Sequence, residues 1–362
     1  MHEKKSCNNY KSSFVCLALS AHHCIIRNHL ETGMILFDTP FKTDRRLLLK
    51  LAASTALATP LLARAAWPDR PIRLVVPSAA GGSPDVICRI VANELSKLLG
   101  QPIVIDNKPG ASGNIGMQEV FRAAPDGYTL GYGNVGTLAI NKSLFAKLPY
   151  DPEKLVPVAL LGYVQNALVV RSDLGVSNIK ELIAIAKAKP GRLVMGSAGN
   201  GTTGHLGGEL FKSMTGTFMI HVPYRGSPQA IQDVMGGQVD LMFDNLSSIA
   251  PHIKSGRVKV LGVSGRARSP LFPDIPTIGE VVPGYETSAW GGIVAPAGTP
   301  RELVTRINGD INKVLGNPAT NEKLVAVSWE STMGPPERLQ DRAIRETPMW
   351  AGVIKRSGAR ID

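Results

Sequence analysis

Cysteine is nearly absent where it would count. Of four cysteines, Cys7, Cys16 and Cys24 precede a predicted export signal and only Cys88 follows it. One thiol cannot close a disulfide within the exported chain, and on the apolar side of a helix Cys88 reads as a buried structural residue. His205, His221 and His252 lack ligand spacing, so no metal site is expected. Nucleophile patterns are missing too. There is no G-x-S-x-G, no P-loop lysine after Gly204, where His205 stands instead, and no carboxylate pair at glycosidase-like placement. The sequence therefore supports no catalytic residue and requires no cofactor. No apolar run is long enough to span a bilayer. Basic residues are plentiful, but no basic run is interleaved with aromatics. Residues 1–65 hold nine Lys and Arg against four acids, so this segment takes +5 of the formal +11 and leaves +6 dispersed along the rest. That is a solvated basic surface rather than a nucleic-acid footprint.

What is present begins with a leader. Asp44-Arg45-Arg46-Leu47-Leu48-Leu49-Lys50 is charged, residues 51–62 are apolar, and Ala63-Arg64-Ala65 supplies the small-x-small pattern of a cleavage site. This predicts export and a mature start near Ala66 or Trp67. The paired arginines fit a twin-arginine signal, and an ordinary secretory signal has the same three regions. Translation is expected to begin at Met34, because residues 1–33 fit no signal.

The exported chain is organised around residues 72–100. Ile72-Arg73-Leu74-Val75-Val76 reads as a buried parallel strand. The small-residue turn Ser78-Ala79-Ala80-Gly81-Gly82 follows, then a helix with Ser83 as its N-cap and Pro84 in its first turn. A strand feeding a glycine turn that opens a helix aims unpaired N–H groups, and the positive end of the helix dipole, at an anion. Strands and helices continue to alternate. Strands are predicted at 102–105, 128–133, 167–170, 193–195, 219–222, 239–243, 258–263 and 289–295, with helices between and a last one over 301–315. The stretch between Asn141 and Ala167 reads as irregular, with a polar link near Arg171-Ser172-Asp173. The expectation is an α/β protein of two lobes: 66–170 in the first, 171–288 in the second, and 289–362 returning to the first.

Gly199-Asn200-Gly201-Thr202-Thr203-Gly204 is literally the dinucleotide fingerprint. The confirming carboxylate about twenty residues on is replaced by Tyr224-Arg225, so only an NADP-dependent oxidoreductase would fit. The same pattern recurs at Gly131-Tyr132-Gly133-Asn134-Val135-Gly136. The other reading has several turns acting together. Residues 78–83, 134–137 and 197–202 each place small residues and free N–H groups at a strand end, and opposed across a cleft they would grip a carboxylate. Asp85 either orders its turn by accepting N–H bonds or meets a ligand ammonium. His205 is either an acid-base group or a hydrogen-bonded structural residue.

The chain resembles the Bug (TctC-like) family of extracytoplasmic receptors of tripartite tricarboxylate transporters. The resemblance rests on Pro71-Ile72-Arg73-Leu74-Val75-Val76-Pro77 with Gly81-Gly82 and Asp85, Asn107-Lys108-Pro109-Gly110-Ala111, Pro125-Asp126-Gly127-Tyr128-Thr129-Leu130, Leu148-Pro149-Tyr150-Asp151-Pro152, His221-Val222-Pro223-Tyr224-Arg225-Gly226, Gly236-Gly237-Gln238-Val239-Asp240 and Ala295-Pro296-Ala297-Gly298-Thr299-Pro300. It implies a type II periplasmic binding fold whose hinged cleft closes on a small organic acid, held by main-chain amides of two loops. The partners implied are that acid and membrane transporter components, with a sensor protein as a further one. Carried onto this chain, the loops are residues 78–85 and 197–205, with Asp244-Asn245 at a further strand end. The expected ligand-binding residues are thus Ser78, Gly81, Gly82, Ser83, Asp85, Asn134, Thr137, Ser197, Gly199, Gly201, Thr202, His205, Asp244 and Asn245. Ser78-Ala79-Ala80 stands where the family usually has Phe-Pro-Pro, which removes an aromatic wall.

Overall fold

A computed structural model describes residues 67–359; the leader, signal and cleavage expectations lie outside the described residues. β1 (Ile72–Val76) runs parallel between β2 (Ile103–Asn107) and β3 (Thr129–Asn134), as its apolar, β-branched sequence requires of a strand covered on both faces. α1 (Ser83–Leu99) and α2 (Asn114–Arg122) are the crossovers. α1 ends at Gly100, which adopts φ 68°, a left-handed cap that glycine enters without strain. Its start differs from expectation. Gly82 is the N-cap without a side-chain cap bond, Ser83 lies inside the first turn with Pro84, and the Asp85 carboxylate reaches back to accept the Gly81 N–H of the preceding turn.

The segment after Asn134 is more regular than the sequence suggests. A π turn at Gly136–Ile140 continues as α3 (Asn141–Leu144), and β4 (Val156–Arg171) is a strand of sixteen residues. The predicted strand at 167–170 is only its end, and the polar link near Arg171 is the turn that follows. Pro157 and Gly162 hide β4 in the sequence. They are tolerated where its register against β9 (Ser288–Ala295) slips.

β4 connects the two lobes. Its residues 156–165 pair with β9, which also pairs with β3, while residues 166–171 pair with β7 (Leu241–Asn245) and β8 (Val258–Val263). β7 lies parallel to β5 (Val194–Ser197), and β5 to β6 (Ile220–Pro223), giving the order β2-β1-β3-β9-β4-β7-β5-β6. Ser264 stitches the change of partner. It is buried, its hydroxyl accepts the Asn166 N–H at 2.8 Å, and it donates to the Thr287 carbonyl at 2.7 Å.

Helices α4 (Ile179–Ala188), α5 (Thr203–Thr215), α6 (Ser227–Met235) and α7 (Leu246–Lys254) clothe the second lobe. α8 (Arg301–Gly316), α9 (Pro318–Ala326), the short β10 (Glu330–Ser331) on β4 and α10 (Glu337–Ser357) complete the first. Cys88 is fully buried in α1, and burial pushes its thiol up. Among the described residues no helix is long and apolar enough to cross a membrane.

Candidate functional site

Parallel strands deliver their carboxyl ends to one side, and there the structure opens a cleft of about 520 Å³ between the lobes. Five helical segments start on its wall: α1 through Gly82 and Pro84, the π turn through Val135 and Gly136, α5 through Thr202 to Gly204, α6 through Gly226 and Ser227, and α7 through Asn245. Only α5 has a side-chain N-cap, Thr202. The caps Gly82, Gly226 and Asn245 supply no side-chain acceptor, so first-turn N–H groups of α1, α6 and α7 stay available to the cleft, while in the π turn Asn134 takes the Thr137 N–H and leaves that of Gly136. The summed dipole ends favour an anion with very little formal charge. Arg225 and Asp244 are the one cationic and the one anionic side chain on the wall among the described residues.

The first turn is held from behind. Asp85 accepts the Gly81 N–H at 2.8 Å, Arg89 Nε at 3.0 Å and Asn107 Nδ2 at 3.0 Å. Burial pushes its carboxyl up, but these bonds outweigh that and hold it below the usual range. Both oxygens are engaged, which answers the alternative posed above: Asp85 orders the turn. Asn134 and Thr137 bracket the next strand end, each accepting the other's N–H at 3.0 and 3.1 Å.

In the second lobe Gly199 (φ 134°) and Gly201 (φ 72°) make the turn, and Thr202 Oγ1 accepts the His205 N–H while donating to the Gly199 carbonyl. Beneath it the Gly201 N–H donates to His205 Nδ1 at 3.1 Å, the His205 ring stacks on His221 at 4.0 Å, and Ser197 Oγ meets His221 Nε2 at 2.7 Å. His205 is thus a support for the loop. Asp244 receives the Ser227 and Ser248 hydroxyls, both at 2.8 Å, tying together the starts of α6 and α7.

The cleft wall includes Ser78, Gly82, Asn134, Gly199, Gly201, Thr202, Asp244 and Asn245 of the expected set. Ser83, Asp85, Thr137, Ser197 and His205 are buried behind it, and Gly81 is exposed outside it. Sequence reasoning passed over the 109–113 loop, whose Ser112 hydroxyl donates to the Asn200 carbonyl at 2.8 Å and closes the lobes on each other. It also left Arg225, weighed only for the dinucleotide reading, and Gly226 out of the expected carboxylate-binding set. Residues 109–111 and Arg225-Gly226 lie in motifs that carried the resemblance, and that was the available signal. An aromatic wall exists after all: Tyr132, Phe145, Trp290 and Trp329 replace what Ser78-Ala79-Ala80 omits.

Burial leaves its mark on the titrating groups. It lowers His205 to about 3 and His221 to about 4, with His221 and Lys212 adding to the effect on the first and Lys212 on the second. It also raises Asp244 to about 6, against the pull of the Ser227 and Ser248 bonds. The unfolded histidines take protons near pH 6.5 while the folded ones do not, so stability falls as pH drops from about 6.5 toward 3. Asp244 acts oppositely between about pH 6 and 3.8, being protonated first in the folded chain. The expected outcome is a net loss of unfolding free energy in urea titrations between about pH 7 and pH 4. The loss is steeper in Asp244→Asn and shallower in His221→Gln.

An α/β chain of two lobes with a ligand cleft between them, floored by strand ends and walled by helix starts, is a periplasmic binding protein fold of the second type. The tripartite tricarboxylate transporter family receptor, TctC, matches residues 87–358. The chain belongs to that family. It is 41% identical over 290 residues to a UPF0065 protein of Bordetella bronchiseptica, covering 80% of this chain and 86% of that one. Among solved structures, Rpa4515 of R. palustris with adipate superposes with a TM-score of 0.79 at 39% identity, over 81% of this chain and 98% of its own. MatC of Rhodopseudomonas palustris with bound malate gives 0.76 at 32% identity, over 80% and 100%. Receptors of this family are periplasmic, and nothing in these comparisons supports the nicotinamide oxidoreductase.

Proposed function

We propose that this exported chain captures a small carboxylated organic acid, without converting it, and presents it to the membrane components of a tripartite tricarboxylate-type transporter. The observation that carries the reading is the convergence of uncapped helix starts from both lobes on one cleft that has almost no charged side chain. Gly82, Gly199, Gly201 and Thr202 spend their own N–H groups on shaping the turns, and an anion in the cleft is held by the N–H groups of Gly136, Thr203, Gly204 and Ser227 on the wall and by the Asn134 amide, each charge-assisted bond contributing roughly 1.5–3 kcal/mol. Gly81, Ser83, Asp85, Thr137, Ser197 and His205 keep that lining in place. The lobes are residues 66–170 with 289–362, and 171–288, and the strand crossing at Asn166 with its Ser264 stitch is the hinge. Closure is favoured by ligand because only the closed form lets both lobes donate to it. The same closed form is what a sensor protein would read. Titration calorimetry and thermal shift with a panel of mono-, di- and tricarboxylic acids, and with NADPH, test the reading. The expected result is a raised melting temperature with one acid class, equivalent to about 2.7 kcal/mol at a hundredfold excess over Kd. Stabilisation by NADPH alone, or turnover of an acid, would overturn it.

A further inference from the structure

Arg225 is exposed on the cleft wall and makes no ion pair or hydrogen bond among the described residues. Its position is constrained on both sides. The Tyr224 N–H donates to the Ser197 carbonyl at 3.0 Å and the Tyr224 hydroxyl to Asp233 at 2.6 Å, while Gly226 (φ 143°) lies so close to Ala79 of the opposite lobe that a Cβ would come within 2.6 Å of it. No carboxylate of the cleft neutralises the guanidinium. Asp244 is occupied by two serine hydroxyls, and Asp233 by Tyr224.

The two indoles of the aromatic wall have no N–H left for a second anionic group either. Trp290 Nε1 donates to Glu346 at 2.7 Å and Trp329 Nε1 to the Leu161 carbonyl at 3.3 Å, so both indoles are left with carbon to offer. A ligand with one carboxylate on the helix starts and an apolar body on these rings therefore meets a single cationic side chain on the wall, Arg225, with which to pair a second charge.

We infer that Arg225 is the specificity-determining residue that pairs with the second carboxylate of a dianionic acid with an apolar spacer, an inference that rests on the anion-binding reading of the cleft. A guanidinium fork matches a carboxylate in two parallel bonds, and a charge near solvent makes the preference sensitive to salt.

The test is calorimetry of the wild-type protein, Arg225→Gln and Arg225→Lys against adipate and hexanoate, and against shorter and longer matched pairs. The wild type is expected to favour the diacid of the best pair by about tenfold or more, with the preference shrinking as salt rises. In Arg225→Gln the ratio of diacid to monoacid affinity falls toward one, and Arg225→Lys restores part of it. An unchanged ratio in Arg225→Gln, or a wild type indifferent to the second carboxylate, overturns the role of Arg225 while leaving the cleft an acid-binding site. A wild type that binds no acid at all overturns both. An unchanged melting temperature in the variants, expected of an exposed side chain, separates lost recognition from lost folding.

Discussion

Gly204→Ala is expected to lose about 3 kcal/mol of stability together with ligand binding, although it adds a single methyl group. α5 crosses β7 at this residue, and a Cβ there would be driven onto the Phe243 carbonyl oxygen. Phe243 cannot retreat. It is fully buried, it pairs with Leu168 of β4, and its strand is flanked on the other side by β5. The helix must move instead, and it takes the Gly199–Gly201 turn and its N–H groups with it. Gly309→Ala is the control. Gly309 lies inside α8, where an added Cβ would meet no atom within 4 Å, so alanine there is expected to be neutral or to stabilise by about 0.5–1 kcal/mol. Urea midpoints at constant slope measure both, and equal effects at the two glycines would refute the close-approach argument. The same geometry explains the false dinucleotide fingerprint. A tight turn with positive φ and a helix pressed onto a strand demand glycine at the same three places, whatever ligand sits above them.

Glu346→Ala is expected to cost about 3–5 kcal/mol, as for a buried ionic partner removed alone. Its carboxylate, buried in α10, accepts Trp290 Nε1 at 2.7 Å and Trp350 Nε1 at 3.1 Å and pairs with Arg342, whose guanidinium lies 5.0 Å from the centre of the Tyr163 ring. Alanine strands two buried indole N–H groups and a cation. Glu346→Gln keeps an acceptor and loses the charge, and should cost about 1–2 kcal/mol. Because Trp290 is part of the cleft wall, the alanine variant should also weaken ligand binding and shift tryptophan emission to the red. A variant with wild-type emission and affinity would show that Trp290 is positioned by its packing alone.

Much of the architecture was legible along the chain because it is local. β1 is a run of β-branched residues, α1 repeats its apolar residues at three and four, and Gly100 marks a left-handed stop, so each element is recognisable from a few neighbours. β4 and α10 were not. β4 is interrupted by Pro157 and Gly162 and is continuous only because β9, β7 and β8 pair with it, and α10 carries Glu346 into the core and Pro348 within its span.

By itself the sequence determined the alternation of strand and helix and the small-residue turns at strand ends, and from these came the expectation of an anion held by backbone amides. Those depend on backbone conformations that a handful of adjacent residues decide. Only the tertiary structure decided which turns face one another, which of the expected residues reach the wall and which merely hold it, and that aromatic faces from Tyr132, Phe145, Trp290 and Trp329 close the cleft. The reason is that these rings come from elements up to about two hundred positions apart, and strand pairing across β3, β9 and β4 is what brings them together.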